Sequence, residues 1–340
     1  VVSVLEKMGK TSHARDALWQ AIDGSSDPLL WFETIPLLAM LSMAACQTDD
    51  IDRLADRAAE AVPDAPWLPW LRQQQIIALW CGGNTTKLKN IGEAKDEHRL
   101  SAAHRDLAGR LAEDPVTGVV GNEAPIEIAG FAKNENDEGS AMAWQLGARD
   151  VPEGTDIQSI AGLRALIDPE GERTALVRLD LTKLEACLRD GARVVVHEER
   201  PIHPGFAEIL AVHAKQEIVR VHTVENPGVV WRTWSEQEAR MALYGACALI
   251  EWPAQCAQVN EWHDPALTLL GASEQDIADP SAGRARQAQL TKQGLEACED
   301  IPRAHQLHGE ALLAQLQANE LQGEQADGPL EAWYGRALQR

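Results

Sequence analysis

With 340 residues the chain is long enough to bury a sizeable core and to divide into more than one domain. Its 52 acidic side chains outnumber 31 basic ones, and the resulting charge of −21 repels phosphate backbones and anionic lipid alike. Neither nucleic acid nor membrane is therefore expected as a partner, and a basic protein or peptide is favoured.

The six cysteines, Cys46, Cys81, Cys187, Cys247, Cys256 and Cys298, show no C-x-x-C pair and no regular spacing. They point to reduced thiols in a cytoplasm rather than to a disulfide framework or a zinc site. No apolar run reaches the roughly 18 residues of a membrane span, and the opening VVSVLEKMGK has no basic flank ahead of an apolar stretch.

Residues 1–112 carry the apolar spacing of helices. In KTSHARDALWQAI, Ala14, Leu18 and Ala21 recur on one helical face, with Thr11 or Ser12 as N-cap. DIDRLADRAAEAVPDAP repeats the steps with Leu54, Ala58 and Ala61 ahead of Pro66. PWLPWLRQQQIIALW gathers Trp67, Trp70 and Trp80, which either pack between helix pairs or line a peptide groove. Far downstream, Leu290, Gly294 and Ala297 keep the same steps before Pro302. Small residues at such places let two helices approach closely, and the proline ends the second helix of a pair. These segments resemble tetratricopeptide repeats in a degenerate form, over roughly 1–112 and 281–340. An irregular helical bundle would give the same hairpins.

The texture changes after residue 112. EDPVTGVVGNEAP reads as a linker, and NENDEGS as a polar break. Then TDIQSIAGLRALID is expected as a helix with Ile157, Ile160, Leu163 and Leu166 on one face, TALVRLD as a strand, LTKLEACLRDG as a helix closed by Gly191, and RVVVH as a buried strand. AEILAVH and EIVRVHTV, joined by Ala214, Lys215 and Gln216, predict an antiparallel hairpin with Glu208 opposite His222 as a solvated pair. VVW, the helix SEQEARMALYGA and the strand ACALIEWP follow. The expected class is α+β.

That order of elements resembles the second half of the papain-like cysteine peptidases that process bacteriocin leaders. LEACLRDGARVVVH stands where that family has a helix, a turn and a strand; His203-Pro-Gly-Phe, the hairpin and Glu225-Asn226-Pro227 follow, and SEQEARMALYGACALIEWP closes the region. The resemblance covers about 100 residues and implies a thiolate nucleophile, an imidazole that keeps it ionised, and an Asn or Asp that orients the ring.

The candidates are Cys81, His203 and Asn226, in that chain order. No cysteine lies between Asp114 and Thr182, where the family's domain would place its nucleophile. Cys81, in ALWCGGNTTK, ends an apolar helix, and the negative end of the helix dipole opposes a thiolate there. It reads as a buried or capping cysteine or, alternatively, as the nucleophile. His203 is followed by Pro204 and Gly205 before the strand begins, and counting back from Asn226 brings Ala207 near the histidine's place instead. Asn226 either orients an imidazole or holds a turn before Pro227.

Other chemistry has no support in the sequence. His197, His203, His213 and His222 lie in the strand region, but His213 and His222 fall on the order of 20 Å apart along the hairpin, too far to share a metal ion. No Gly-rich phosphate loop, dinucleotide fingerprint or nucleophile elbow occurs, so no cofactor is expected. The expectation is three segments: helical repeats over 1–112, a peptidase-like domain over 113–255, and helical repeats over 256–340. The first functional reading is an interaction scaffold with a catalytically degenerate peptidase-like domain, and the competing one is an active cysteine peptidase.

Overall fold

The computed structural model describes residues 11–25, 27–94, 100–114, 116, 118–126, 142, 143, 146, 157, 159–198, 205–223, 228–242, 246–254, 258–264 and 267. They form an α+β protein whose described residues fall in two compact units. The first draws on residues 1–136, 181–189 and 207–237; the second on 137–180, 190–206 and 238–340. Both are discontinuous in the chain, whereas the expected divisions at 112 and 255 follow its linear texture. The repeat-like segment over 281–340 lies outside the described residues. No helix of the described residues is long and apolar enough to cross a membrane.

Among the described residues, the first unit holds six helices ahead of its strands: α1 Thr11–Asp23, α2 Pro28–Ala44, α3 Thr48–Ala61, α4 Leu68–Cys81, α5 Thr85–Glu93 and α6 Ala102–Glu113. Each packs on the next, and α4 also meets α6. The starts are written locally. Asp27 accepts from Leu29 N at 3.0 Å and precedes Pro28, whose missing N–H costs nothing at a first helical position. Asn84 caps α5 through Lys87 N. Ser101 and His104 cap each other reciprocally at the start of α6, an imidazole taking the place usually held by Glu.

The buried faces differ slightly from expectation. In α1 the stripe is Ala14, Leu18 and Ile22, and Ala21 is exposed; in α3 it is Ile51, Leu54, Ala55 and Ala58, and Ala61 is exposed. In α1 a step of four rather than three keeps Ile22, larger than Ala21, inside, as burial free energy demands. Helices α5 and α6 come together at two glycines: a methyl on Gly92 would stand 3.1 Å from Gly109 Cα.

Four antiparallel strands complete the unit in the order β1, β4, β5, β6: β1 is Val119–Gly121, β4 Gly205–His213, β5 Ile218–Thr223 and β6 Gly228–Thr233. The expected hairpin forms, with a 3-10 turn over Ala214–Gln216 and Glu208 opposite His222. That pair is buried, at 9% and 5% exposure, not solvated as expected, because both faces of the hairpin are covered. The register slips at Leu210, the extra residue of a bulge between Ile209 and Ala211. Part of the expected linker is strand β1, whose Gly121, at φ 109°, lies so close to the bulge that a Cβ there would fall 2.3 Å from Leu210 O. Strand β6 lies on α2, where a Cβ on Gly228 would meet Met40 Cβ at 2.4 Å. Helix α8, Leu181–Arg189, packs near β1.

The second unit holds α7 Ile160–Ile167, β2 Thr174–Arg178, β3 Arg193–Glu198, β7 Cys247–Glu251 and α10 Gln258–Trp262. Helix α9, Trp234–Met241, connects β6 to the chain leading into β7. Strand β7 pairs antiparallel with β2 on one side and β3 on the other. In α7 the buried residues are Ile160, Leu163 and Ile167, with Leu166 only half-buried, and Ser159 caps the start through Gly162 N. Asp168 closes the following turn: its carboxylate accepts from the N–H groups of Arg173 and Thr174 and from the Thr174 hydroxyl, each within 2.9 Å. Burial works against ionisation there, but these donors hold the carboxyl below the ordinary range.

Candidate functional site

Helices α2 and α4 end in the same way. After α2, Cys46 N donates to Met43 O and Gln47 N to Ser42 O; after α4, Gly83 N donates to Trp80 O and Asn84 N to Leu79 O. Both are Schellman endings, which need one residue in the left-handed region. Gly83, the residue type that adopts this conformation most readily, fills that place at φ 71°, but Cys46 fills it after α2 at φ 55°. A non-glycine residue there costs about 1 kcal/mol or more, so its side chain merits scrutiny.

Between these two helix ends lies a cavity of about 270 Å³. Met43, Ile51, Ala78 and Trp231 give it an apolar wall, and Cys46, Cys81, Glu123 and Arg220 its chemistry. Arg220, on β5, is 1% exposed. Its Nη1 donates to Asn122 O at 3.0 Å and Ala124 O at 2.8 Å; its Nη2 donates to Met43 O at 3.3 Å and to Cys46 Sγ at 3.4 Å. Among the described residues no carboxylate lies within ion-pair distance of this guanidinium. Burial pushes its pKa down, and the neighbouring thiol and Glu123 oppose that.

The Cys46 thiol in turn donates to Glu123 O at 3.1 Å, so one sulfur joins the end of α2, the 122–126 loop and β5. Ile126 N, on Ala44 O at 3.0 Å, ties the same loop to α2. The Glu123 carboxylate reaches His213, whose Nε2 stands 2.9 Å from Oε1, off the line of a hydrogen bond. His213 is fully buried between the rings of Trp80 and Trp231, at 4.6 Å and 5.4 Å, and its Nδ1 has no hydrogen-bond partner among the described residues.

Cys81 is the last residue of α4. Its residue surface is partly exposed, but its sulfur is mostly surrounded by protein. Burial, then the Glu123 charge, pushes the thiol up to about 12, and Arg220 only partly offsets this. His203 and Asn226, the other two candidates, lie outside the described residues. None of the described residues lining the cavity is a histidine. Among the described residues no group of three or more His, Cys, Asp or Glu is placed to hold a metal ion.

Three cavity residues, Cys46, Glu123 and Arg220, were not legible as functional in the sequence. One signal was available: Arg220 interrupts the apolar run of Ile218, Val219 and Val221, and a charge in a strand buried on both faces calls for a partner. Of the three tryptophans, Trp80 is core and donates to Asp114 O at 2.7 Å, whereas Trp67 sits beside exposed Phe32 and donates to its carbonyl. No protein-family model, curated protein or solved structure matches the chain.

Proposed function

We propose that the chain is a protein-interaction scaffold whose strand region resembles a papain-like cysteine peptidase without its catalysis. The observation that carries this reading is the state of Cys81: it closes a helix at the negative end of the dipole, and burial drives its thiol to about 12. A sulfur in that state is overwhelmingly protonated at neutral pH and is a poor nucleophile.

Two features support the scaffold half. The helices of residues 11–113 pack successively in hairpins, the arrangement from which repeat arrays build binding surfaces. On their outside, Leu29 is 64% and Phe32 39% exposed, beside Trp67. With a chain charge of −21, a basic partner with apolar anchors suits such a surface.

The test has two arms. Iodoacetamide at pH 6, with the labelled site mapped by mass spectrometry, should leave Cys81 unmodified, and peptide libraries should not be cleaved. Selective alkylation of Cys81 together with cleavage would establish the peptidase reading in its place. In the second arm, a fluorescent Lys/Leu amphipathic peptide should bind, and the pair Leu29→Ser and Phe32→Ser should weaken it at least tenfold. Equal binding by that neutral double variant removes the proposed surface.

A further inference from the structure

The two cysteines of the cavity differ in exposure and in their immediate partners. Cys46 is exposed, fixed in a left-handed backbone conformation, and accepts an N–H from a buried guanidinium. Cys81 lines the same space but is desolvated. Of the other described cysteines, Cys187 and Cys247 are wholly buried within the core.

Thiol–disulfide exchange begins with an exposed sulfur that carries negative charge as it attacks. At Cys46 that charge develops 3.4 Å from Arg220 Nη2, beside a cation that meets carbonyl oxygens and no carboxylate within ion-pair distance among the described residues. The Glu123 side chain, which also lines the cavity, reaches His213. A second sulfur lining the same cavity gives the first adduct somewhere to go.

We propose that Cys46 and Cys81 form a redox-sensitive dithiol, in which Cys46 takes up a small disulfide and Cys81 then displaces it, closing an intramolecular disulfide across the cavity. In the first step the Cys46 sulfur attacks one sulfur of R–S–S–R, a new S–S bond forms, and R–S⁻ leaves and takes a proton. In the second step the Cys81 sulfur attacks Cys46 Sγ, the mixed disulfide breaks, and a second R–S⁻ leaves and takes the other proton. Two protein thiols are oxidised, and one small disulfide is reduced to two thiols. The small disulfide is the oxidant, and no other reagent is needed. Because the Cys81 thiol is held up to about 12, the second step is the slow one and accelerates with pH. Closure fills the space between the ends of α2 and α4, so any ligand of the cavity is excluded from the oxidised form.

The experiment uses the full reduced chain and oxidised glutathione, with acid quenching and site-resolved mass spectrometry over time. The expected record is a glutathione adduct on Cys46 first, followed by its loss as a peptide linking Cys46 to Cys81 appears, faster at pH 9 than at pH 7. Cys81→Ser should keep the adduct on Cys46 without release, and Cys46→Ser should leave Cys81 unmodified on the same timescale. Arg220→Lys should slow the first step severalfold. If that variant fails to fold, the wild-type order of events still decides. Modification of Cys81 as fast as Cys46, or a persistent Cys46 adduct with no linked peptide, overturns the proposal.

Discussion

Gln74 and Trp231 exchange two hydrogen bonds: Gln74 Nε2 donates to Trp231 O and Trp231 N donates to Gln74 Oε1, both at 2.7 Å. Gln74 is fully buried on α4, and its amide treats the outer strand β6 as a further strand would, satisfying both outward backbone groups of one residue. Replacing Gln74 with Leu keeps the volume and strands both groups, at an expected cost of about 2–4 kcal/mol. Gln74→Glu should cost more at pH 7 than at pH 4, since an ionised carboxylate cannot donate to Trp231 O. Urea unfolding of both variants checks this.

An equivalent device covers β2 in the second unit. Leu176 N donates to His263 Nδ1 at 3.0 Å, and Asp264 N donates to Leu176 O at 2.9 Å. Burial, and then Arg164, pushes the His263 pKa down from 6.5 to about 4, while Asp264 opposes them. The folded state therefore favours the neutral ring. Its contribution is fully present above pH 6.5 and is lost as pH falls from there to about 4, amounting to about 3 kcal/mol. His263→Gln, neutral at every pH, should flatten that part of the stability profile measured by denaturant unfolding between pH 7 and pH 4.

Helices α3, α4 and α5 are joined by a polar cluster. Lys87 Nζ reaches Asp52 at 2.6 Å and Asp56 at 2.9 Å, Arg72 reaches Asp56 at 3.0 Å, and Gln75 bridges both aspartates. Burial raises the Asp56 pKa, but Lys87, Arg72 and Gln75 together hold it below 3.8. Burial likewise lowers that of Lys87, but Asp52 and Asp56 hold it above 10.5. The Asp56 contribution is thus complete above pH 3.8 and lost as pH falls through its lower folded value. The Lys87 contribution is complete below pH 10.5 and lost as pH rises through its higher one. Asp56 is half-exposed and Lys87 a third exposed, so screening leaves about 1 kcal/mol or less. The stability gap between wild type and Asp56→Asn should narrow below pH 3.8, and that between wild type and Lys87→Met above pH 10.5.

Gly228 tests the contact between β6 and α2. Alanine there would place its methyl 2.4 Å from Met40 Cβ, so Gly228→Ala should cost about 1–3 kcal/mol. Because the clash is with a Cβ and not with a flexible end, adding Met40→Ala should not restore stability, whereas Met40→Gly should recover part of it. Thermal denaturation of the two double variants separates these outcomes.

The hairpin was legible, because two β-branched runs around a three-residue connection leave few pairings, and Glu208 does face His222; the bulge that shifts the register by one nearer the turn, where His213 pairs with Ile218, was not. Its burial was not legible, since a charged pair on a strand looks the same whether water or protein covers it. Strand β1 escaped notice because Val119 and Val120 are flanked by turn residues and owe their extension to pairing with β4. The helix stripes were read to within one residue. The cavity was hidden for a different reason: Cys46, Cys81, Glu123 and Arg220 are far apart in the chain, and only the packing of helix ends against β5 assembles them. Cys81 drew attention through the CGGN sequence, yet those glycines belong to the ending of α4.

The bulge at Leu210 decides which way β4 looks. Glu208 and His213 are an odd number of positions apart, so in an unbroken strand they would point to opposite sides. The inserted residue reverses the parity midway: Glu208 lies across from His222, Ala211 from Arg220 and His213 from Ile218, all on one side. The same sequence run as an unbroken strand would turn either the acid or the imidazole away, whereas removing Leu210 would leave the two four positions apart and on one side with no bulge needed. In this chain, therefore, the single break in the pleat puts Glu208 on the same side of β4 as His213, which meets Glu123 beneath the two indoles.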